Sequence, residues 1–278
     1  MSAKLPLAPT FSYPAVGRCV YCGTSDDLLT KEHILPFGLN GNFVLPEASC
    51  AACSKITSEV ERRVLRGFLE RGRLALSMAS RHKKRDRPTS LPAVLIQSDE
   101  SIVEENLSII DSLQVVHLPI FIPPLCLGGR AQDKNPEGME CVGIATLHIG
   151  DPVETLRQYS ATGIRFETPM DVWAFARMLS KIAHSYHVAE KGWFPIDESP
   201  VVPVVLGERK RVKDWIGTLD SNQLEKPGSQ ALHLMNIAEL IAPDGSVCSV
   251  VRIKLFAPMN GPTYAVVTRI QLPSRGTR

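Results

Sequence analysis

The sequence predicts an α+β protein in which a small zinc-binding module is followed by a larger α+β domain with an antiparallel sheet and one long helix. Two Cys-x-x-Cys pairs near the N-terminus predict the module. Apolar, strand-like segments separated by turn residues, with a single long helical pattern among them, predict the larger domain. The predicted boundaries are residues 1–80 for the module and its basic helix, 81–91 for a basic linker, and 92–278 for the second domain.

The overall composition is that of a soluble globular protein. The chain has 278 residues, of which 44% are hydrophobic and 22% charged, so it can bury a real core. The N-terminal residues lack the apolar stretch of a signal peptide. No apolar run approaches the roughly 18 residues that a membrane span needs, so no membrane partner is expected. The sequence therefore predicts a cytoplasmic protein.

The charge is distributed unevenly along the chain, although the formal net charge is only +2. Residues 59–87 carry ten Lys or Arg and four Asp or Glu, which gives a net charge of +6. Residues 88–278 carry 17 basic and 21 acidic residues, which gives −4. A basic segment directly after the cysteine pairs favours a polyanionic partner. The alternative interpretation is a solvated helix face.

Four of the seven cysteines form two Cys-x-x-Cys pairs separated by 27 residues: Cys19, Cys22, Cys50 and Cys53. Zinc binds four thiolates tetrahedrally, and a site with four protein ligands is closed and structural. Paired cysteines in a cytoplasmic chain indicate metal binding rather than disulfides. The other three cysteines lie in apolar segments and are predicted to be small core residues: Cys126, Cys141 and Cys248.

A helix is predicted after the second cysteine pair. Thr57 or Ser58 is its predicted N-cap, with acidic residues in the first turn. An apolar residue recurs every four positions, which predicts one buried stripe. That stripe consists of Ile56, Val60, Val64 and Phe68. The arginines of the segment fall mostly off the stripe, and the pattern ends in the basic linker.

The second domain is predicted to be rich in strands. Its predicted strands are 92–97, 113–122, 141–149, 200–206, 230–241, 247–257 and 263–271. Asp244-Gly245 and Asn260-Gly261 are hairpin turn residues between the last three of them. The C-terminal third is therefore predicted to be an antiparallel meander.

One long helix is predicted within this domain. Thr168 is its predicted N-cap, Pro169 its first helical residue and Gly192 its C-terminal stop. His184 and His187 lie three residues apart on it and could ligate a metal. Ordinary histidines on the polar face of the helix are the favoured interpretation.

The segment between the cysteine pairs carries a more specific pattern. It contains Glu32-His33-Ile34-Leu35-Pro36, then a Gly38-Leu39-Asn40-Gly41 turn, and Ala48-Ser49-Cys50 at the second pair. With a cysteine pair on each side, this segment resembles the HNH endonuclease family, whose fold is the ββα-metal finger. The resemblance covers about residues 18–70, a quarter of the chain.

The resemblance implies roles for several residues. His33 would be the general base that activates water, and Glu32 would help to hold a catalytic Mg²⁺ or Mn²⁺. The zinc would keep a subdomain of about 40 residues in register, because so small a unit cannot fold on apolar burial alone. The partner would be nucleic acid, with DNA favoured. Its phosphates would be contacted by Arg62, Arg63, Arg66, Arg73, Lys83 and Lys84.

Two positions depart from the family pattern. Ser54 follows the second cysteine pair where the family usually has a metal-binding Asn or His, and Leu45 stands where its middle Asn is usual. Three interpretations remain open. The chain is an active variant that uses Ser54 or recruits another ligand, such as Glu61; or a weakly active enzyme; or a zinc module that binds nucleic acid or protein without catalysis.

Overall fold

The computed structural model describes residues 9–80, 87–128, 138–208, 211–219, 231–241 and 245–271. Its helices are α1 (Ala51–Leu65), α2 (Glu70–Ala75), α3 (Pro152–Gln158), α4 (Val172–Lys191) and α5 (Val202–Leu206). Its N-terminal strands are β1 (Phe11–Ser12), β2 (Thr30–His33), β3 (Phe43–Ser49), β4 (Ser90–Gln97), β5 (Ile102–Ser108) and β6 (Gln114–Phe121). The later strands are β7 (Cys141–Ile149), β8 (Ala161–Arg165), β9 (Ile216–Leu219), β10 (Leu234–Ile241), β11 (Val247–Lys254) and β12 (Thr263–Gln271). Over these residues, no helix combines the length and apolarity needed to cross a bilayer.

The N-terminal region is an antiparallel hairpin followed by a helix. Strands β2 and β3 pair antiparallel, β1 adds to β3 in parallel, and α1 begins two residues after β3 ends. The helix starts earlier than predicted. Cys50, with extended backbone, is its N-cap, and the Ser54 N–H donates to the Cys50 carbonyl. The predicted start at Thr57 or Ser58 is wrong because the second cysteine pair itself forms the first helical turn.

The apolar stripe of α1 is confirmed over most of its predicted length. Val60 and Val64 are buried, and Phe68 is buried just beyond the helix end. The helix stops at Leu65, before Gly67. A Cβ at Gly67 would lie 2.5 Å from the Arg63 carbonyl oxygen, so this turn requires glycine. The chain then turns into the short helix α2.

The remainder is mixed α+β, as the sequence predicts, with several small sheets. The largest has the order β10-β11-β12-β9, and all its neighbours pair antiparallel. Strands β4, β6, β7, β10, β11 and β12 fall within or close to predicted segments. The hairpin turn at Asn260-Gly261 is confirmed as the connection of β11 to β12. Asp244, in the other predicted turn, lies outside the described residues.

Several elements differ from the sequence prediction. Residues 200–206 contain helix α5 rather than a strand, because Pro203 fits the first turn of a helix and Gly207 ends it in left-handed conformation. Strands β5 and β8 were not predicted, because neither has a buried apolar alternation. Helix α3 was also missed, although its N-cap Asp151 accepts hydrogen bonds from two backbone N–H groups.

Helix α4 is the central element of the molecule. Its N-cap is Asp171 rather than Thr168, since the Asp171 carboxylate accepts from the Ala174 N–H, and it ends at Gly192 as predicted. The prediction that His184 and His187 lie on a polar face is wrong, because both side chains are buried. The helix packs on α1, α5, β11 and β12.

One buried cluster joins the N-terminal hairpin and helix to the later strands. It contains Val60 and Val64 of α1, Phe175 of α4 and Val251 of β11. The apolar side chains of α1 therefore pack against residues of α4 and of the C-terminal sheet. Most of the predicted linker, including Lys83 and Lys84, lies outside the described residues, and β4 begins at Ser90.

Candidate metal centre and adjoining acid–histidine site

The four paired cysteines converge at one end of the hairpin. The Sγ atoms of Cys19, Cys22, Cys50 and Cys53 all lie within 4.8 Å of one another, and the Cys22–Cys50 separation is 3.7 Å. A tetrahedral zinc with Zn–S bonds of about 2.3 Å needs sulfurs about 3.8 Å apart. The donor set and its spacing therefore fit zinc. Cys22 is exposed and the other three are buried.

The local backbone prepares this cluster for a metal. Gly23 adopts a positive φ of 77° and donates its N–H to the Cys19 carbonyl at 2.9 Å, which closes the loop of the first pair. A hydrogen bond from Cys53 and several from backbone N–H groups lower the pKa of the Cys19 thiol to about 4. Burial raises the pKa of Cys22 to about 11, and the hydrogen bond with Cys19 raises the pKa of Cys53. Metal ligation requires thiolate, so of these three thiols only Cys19 is already in the ligating form, and a metal must displace the protons of the other two.

Glu32 and His33 are the last two residues of β2, and consecutive strand residues point to opposite faces. Glu32 is buried and pairs across the hairpin with Leu45, whereas His33 is partly exposed. The imidazole lies edge-on to Phe37, with ring centroids 6.0 Å apart. The strand thus turns the carboxylate inward and leaves the imidazole within reach of solvent.

The buried carboxylate of Glu32 is paired with a lysine from α4. The Lys181 ammonium lies 2.7 Å from Glu32 Oε1 and 2.9 Å from Glu61 Oε1. It also donates to the His33 carbonyl, and it lies 3.3 Å from the Ile34 carbonyl oxygen. Four oxygens, two carboxylate and two main-chain, therefore surround one nitrogen. We call these four oxygens the oxygen cradle.

The ammonium in the oxygen cradle carries its charge. Burial alone would lower the pKa of Lys181, but the carboxylates of Glu32 and Glu61 outweigh burial and raise it above its ordinary value. Burial raises the pKa of Glu32, and the adjacent ammonium opposes that rise. With side chains 1% and 7% exposed, Lys181 and Glu32 form an ion pair shielded from water.

The divalent ion implied by the family resemblance does not fit these residues as they are folded. Glu32, its expected ligand, already contacts the Lys181 ammonium, and a second cation cannot share that position. Ser54 lies in the first turn of α1, where its backbone carbonyl accepts a hydrogen bond from Thr57. It is Glu61, two turns further along α1, that meets Glu32 at the ammonium.

The basic residues near this site differ in what they contact. Arg62 and Arg63 are exposed and pair with Glu59 on the same helix face. Arg73 donates its guanidinium to three main-chain carbonyls, those of Gly38, Leu65 and Ala79. Arg73 thus stabilises the turn between the hairpin and the helices.

A groove of about 490 Å³ adjoins the site. Phe37, the ring neighbour of His33, lines it together with Glu61. Its charged lining residues are Glu61, Glu70, Arg62, Arg66, Arg73 and Arg87. Four arginines against two carboxylates make this groove electropositive, which suits a phosphate-bearing partner.

Sequence reasoning missed Lys181. Helical periodicity places a lysine on the solvent side by default, since lysines are rarely buried without a partner. The available signal was that α4 is apolar on most of its circumference, so that its lysine at mid-helix has little solvent to face. Nothing in the sequence indicates which carboxylates would pair with it.

Comparisons with family models, with curated proteins and with solved structures give no match for this chain.

Proposed function

We propose that the protein is an HNH-type hydrolase of nucleic-acid phosphodiester bonds, with DNA as the favoured substrate and His33 as the base that activates water. The observation that carries this proposal is the position of His33. Its partly exposed imidazole stands at the end of a zinc-braced hairpin, beside a groove lined by four arginines. A base must reach both water and the scissile phosphate, and in this proposal both approach the imidazole from the neighbouring groove.

In the proposed reaction a water molecule at the groove gives a proton to His33 as its oxygen bonds to phosphorus. The bond from phosphorus to the leaving oxygen breaks, and that oxygen takes up a proton from solvent. Arg62 and Arg66 at the groove would offset the negative charge that develops on the phosphoryl oxygens. The resemblance implied Mg²⁺ or Mn²⁺ for that task, but the Lys181 ammonium already occupies the position beside Glu32 where such an ion would bind, so the proposed reaction uses none.

Zinc, in this proposal, has a structural role. The thiolates belong to the segments on either side of β2 and β3, so one ion clamps the strand that carries His33 to the start of α1. Because all four ligands are protein thiolates, the ion offers no open position for water. Removing it should disturb the imidazole through the backbone rather than through the chemistry.

The test is nicking of supercoiled plasmid by zinc-loaded protein, with and without added Mg²⁺ or Mn²⁺. His33→Ala should lower the rate at least about 100-fold, the usual contribution of a general base. His148→Ala, an exposed histidine on β7, is the matched control and should retain the wild-type rate. Zinc content and circular dichroism must be unchanged in both variants. Equal rates for wild type and His33→Ala would refute the catalytic assignment.

A specific observation favours a second candidate, a zinc module that binds nucleic acid without cutting it. Glu32, half of the acid–histidine pair, is neutralised by Lys181 and buried. This candidate expects no turnover with any ion but salt-sensitive binding at the groove. Arg62→Glu with Arg66→Glu should weaken binding of a labelled duplex and flatten its salt dependence. Arg157→Glu, at another exposed arginine with an i,i+3 glutamate, is the matched control.

A further inference from the structure

The geometry points to Lys181 as the resident cation of the acid–histidine site, occupying with its ammonium the position of a divalent metal ion. For its catalytic meaning the inference rests on the proposed function, which it deepens by making the site independent of added metal. The inference also predicts how Lys181 variants bind a divalent ion. That prediction depends only on the contacts of Lys181 and can be measured without any enzyme turnover.

The composition of the oxygen cradle carries the first step. Two carboxylate and two main-chain carbonyl oxygens are the ligands that hard divalent cations such as Mg²⁺ and Mn²⁺ prefer. All four converge on the Lys181 ammonium, the carboxylates at 2.7 and 2.9 Å. An ammonium has three protons, so four oxygens exceed its hydrogen-bonding capacity. The cradle has the donor set of a metal site and holds a lysine.

Charge and access carry the second step. Glu32 and Glu61 carry two negative charges. The lysine neutralises one of them, whereas a divalent ion would neutralise both. The ammonium is 1% exposed, so it reaches neither water nor a phosphate in the groove. Lys181 therefore acts as a positioning residue. It fixes the main chain at His33 and Ile34, the residue that carries the imidazole and its neighbour.

Removal of this side chain should convert the cradle into a divalent-ion site. Lys181→Ala deletes the ammonium and its stem and leaves the four oxygens around a space. Two carboxylates and two carbonyls correspond to a site of modest affinity, with a dissociation constant of about 0.1–1 mM. Lys181→Ala/Glu32→Gln removes one of the two carboxylates and should abolish that binding.

The experiment is titration of Mn²⁺ followed by electron paramagnetic resonance, on zinc-saturated protein so that the thiolates are occupied. Wild type and Lys55→Ala, an exposed lysine of α1, should leave Mn²⁺ free. Lys181→Ala should bind one equivalent, and Lys181→Ala/Glu32→Gln none. If Lys181→Ala folds only when Mn²⁺ is added, that gain of structure supports the inference equally.

Two results would overturn it. One is Mn²⁺ binding by wild type that Glu32→Gln abolishes, since the ion would then coexist with or displace the lysine. The other is a Lys181→Ala protein that neither binds Mn²⁺ nor gains structure from it. Either result leaves the nicking assay with His33→Ala untouched, so the proposed function and this inference fail separately.

Discussion

Replacement of Lys181 by methionine tests how strongly the buried ion pair holds the molecule together. Methionine keeps most of the stem volume but removes the charge and the ammonium donors. Glu32, 7% exposed, would then face Glu61 without a counterion. Breaking a buried pair by removing one partner costs about 3–5 kcal/mol. The His33 and Ile34 carbonyls also lose a donor, at about 1 kcal/mol each. The expected loss for Lys181→Met is thus about 5–7 kcal/mol.

A double-mutant cycle isolates the ionic part of this loss. Glu32→Gln alone keeps a hydrogen bond to the ammonium and leaves Glu61 paired, so its expected cost is only about 1–2 kcal/mol. Lys181→Met/Glu32→Gln removes the buried unpaired charge and lets the partly exposed Glu61 turn to water. Its cost should fall below the sum of the single variants by about 2–3 kcal/mol.

The measurement is urea unfolding of zinc-saturated protein, followed by tryptophan fluorescence and circular dichroism. Lys55→Met, at an exposed position on α1, is the control and should change the free energy of unfolding by less than about 0.5 kcal/mol. Losses that add within about 0.5 kcal/mol across the cycle would refute the reasoning. So would a loss below about 1 kcal/mol for Lys181→Met.

Two further predictions concern the zinc cluster and His233, a half-buried histidine. Chelation of the zinc should lower the calorimetric Tm of the whole protein by at least about 10 °C, because the cysteines share a core with Phe194 and Val205. A Tm that is unchanged once the zinc content reaches zero would contradict this prediction. Cys141→Ser, at an exposed cysteine, should keep both zinc and Tm. Burial lowers the pKa of His233 from 6.5 to about 4, so between these pH values the unfolded chain binds a proton there that the folded protein does not. The free energy of unfolding should therefore fall by about 3 kcal/mol as the pH falls from 6.5 to 4. When the free energy of unfolding from urea titrations is plotted against pH, His233→Asn should show a smaller slope than wild type over that range. Equal slopes would show that His233 does not titrate in this way.

The physical reason for the His233 prediction is its hydrogen bonding. Nε2 donates to the Leu39 carbonyl at 3.0 Å, and Nδ1 accepts from the Phe256 N–H at 3.3 Å. An imidazolium has no acceptor nitrogen, so protonation would cost the second bond as well as burial of a charge. Zinc loss at low pH affects wild type and His233→Asn alike, and the comparison of their slopes cancels it.

Local pattern accounts for what the sequence could predict. The spacing of the cysteine pairs was enough to predict the thiol cluster, because two Cys-x-x-Cys pairs at this spacing are typical of a four-thiolate metal site. The period of Val60 and Val64 is enough for the buried face of α1. Segment 200–206 was misassigned because a short apolar run fits a buried helix as well as a strand, and only Pro203 and Gly207 distinguish the two.

The oxygen cradle could not be predicted, because it depends on tertiary contacts. Glu32 looked like a metal ligand from its neighbour His33 and from the cysteine pairs on both sides. Its actual partner, Lys181, lies about 150 residues away on α4 and follows from no local period. The arginine at position 73 was likewise assigned to phosphate by its charge, whereas its position over three carbonyls is a matter of packing.

The long reach of Lys181 has a consequence for how the hairpin can be reused. A fragment ending near residue 80 would retain all four thiolates and could bind zinc, yet it would contain Glu32 and Glu61 without their cation. Such a fragment cannot be transferred to another protein as a working unit, because the lysine that neutralises its buried glutamates lies on a helix that the fragment lacks. During synthesis, too, this site can mature only after α4 has emerged and docked, well after the zinc ligands are complete.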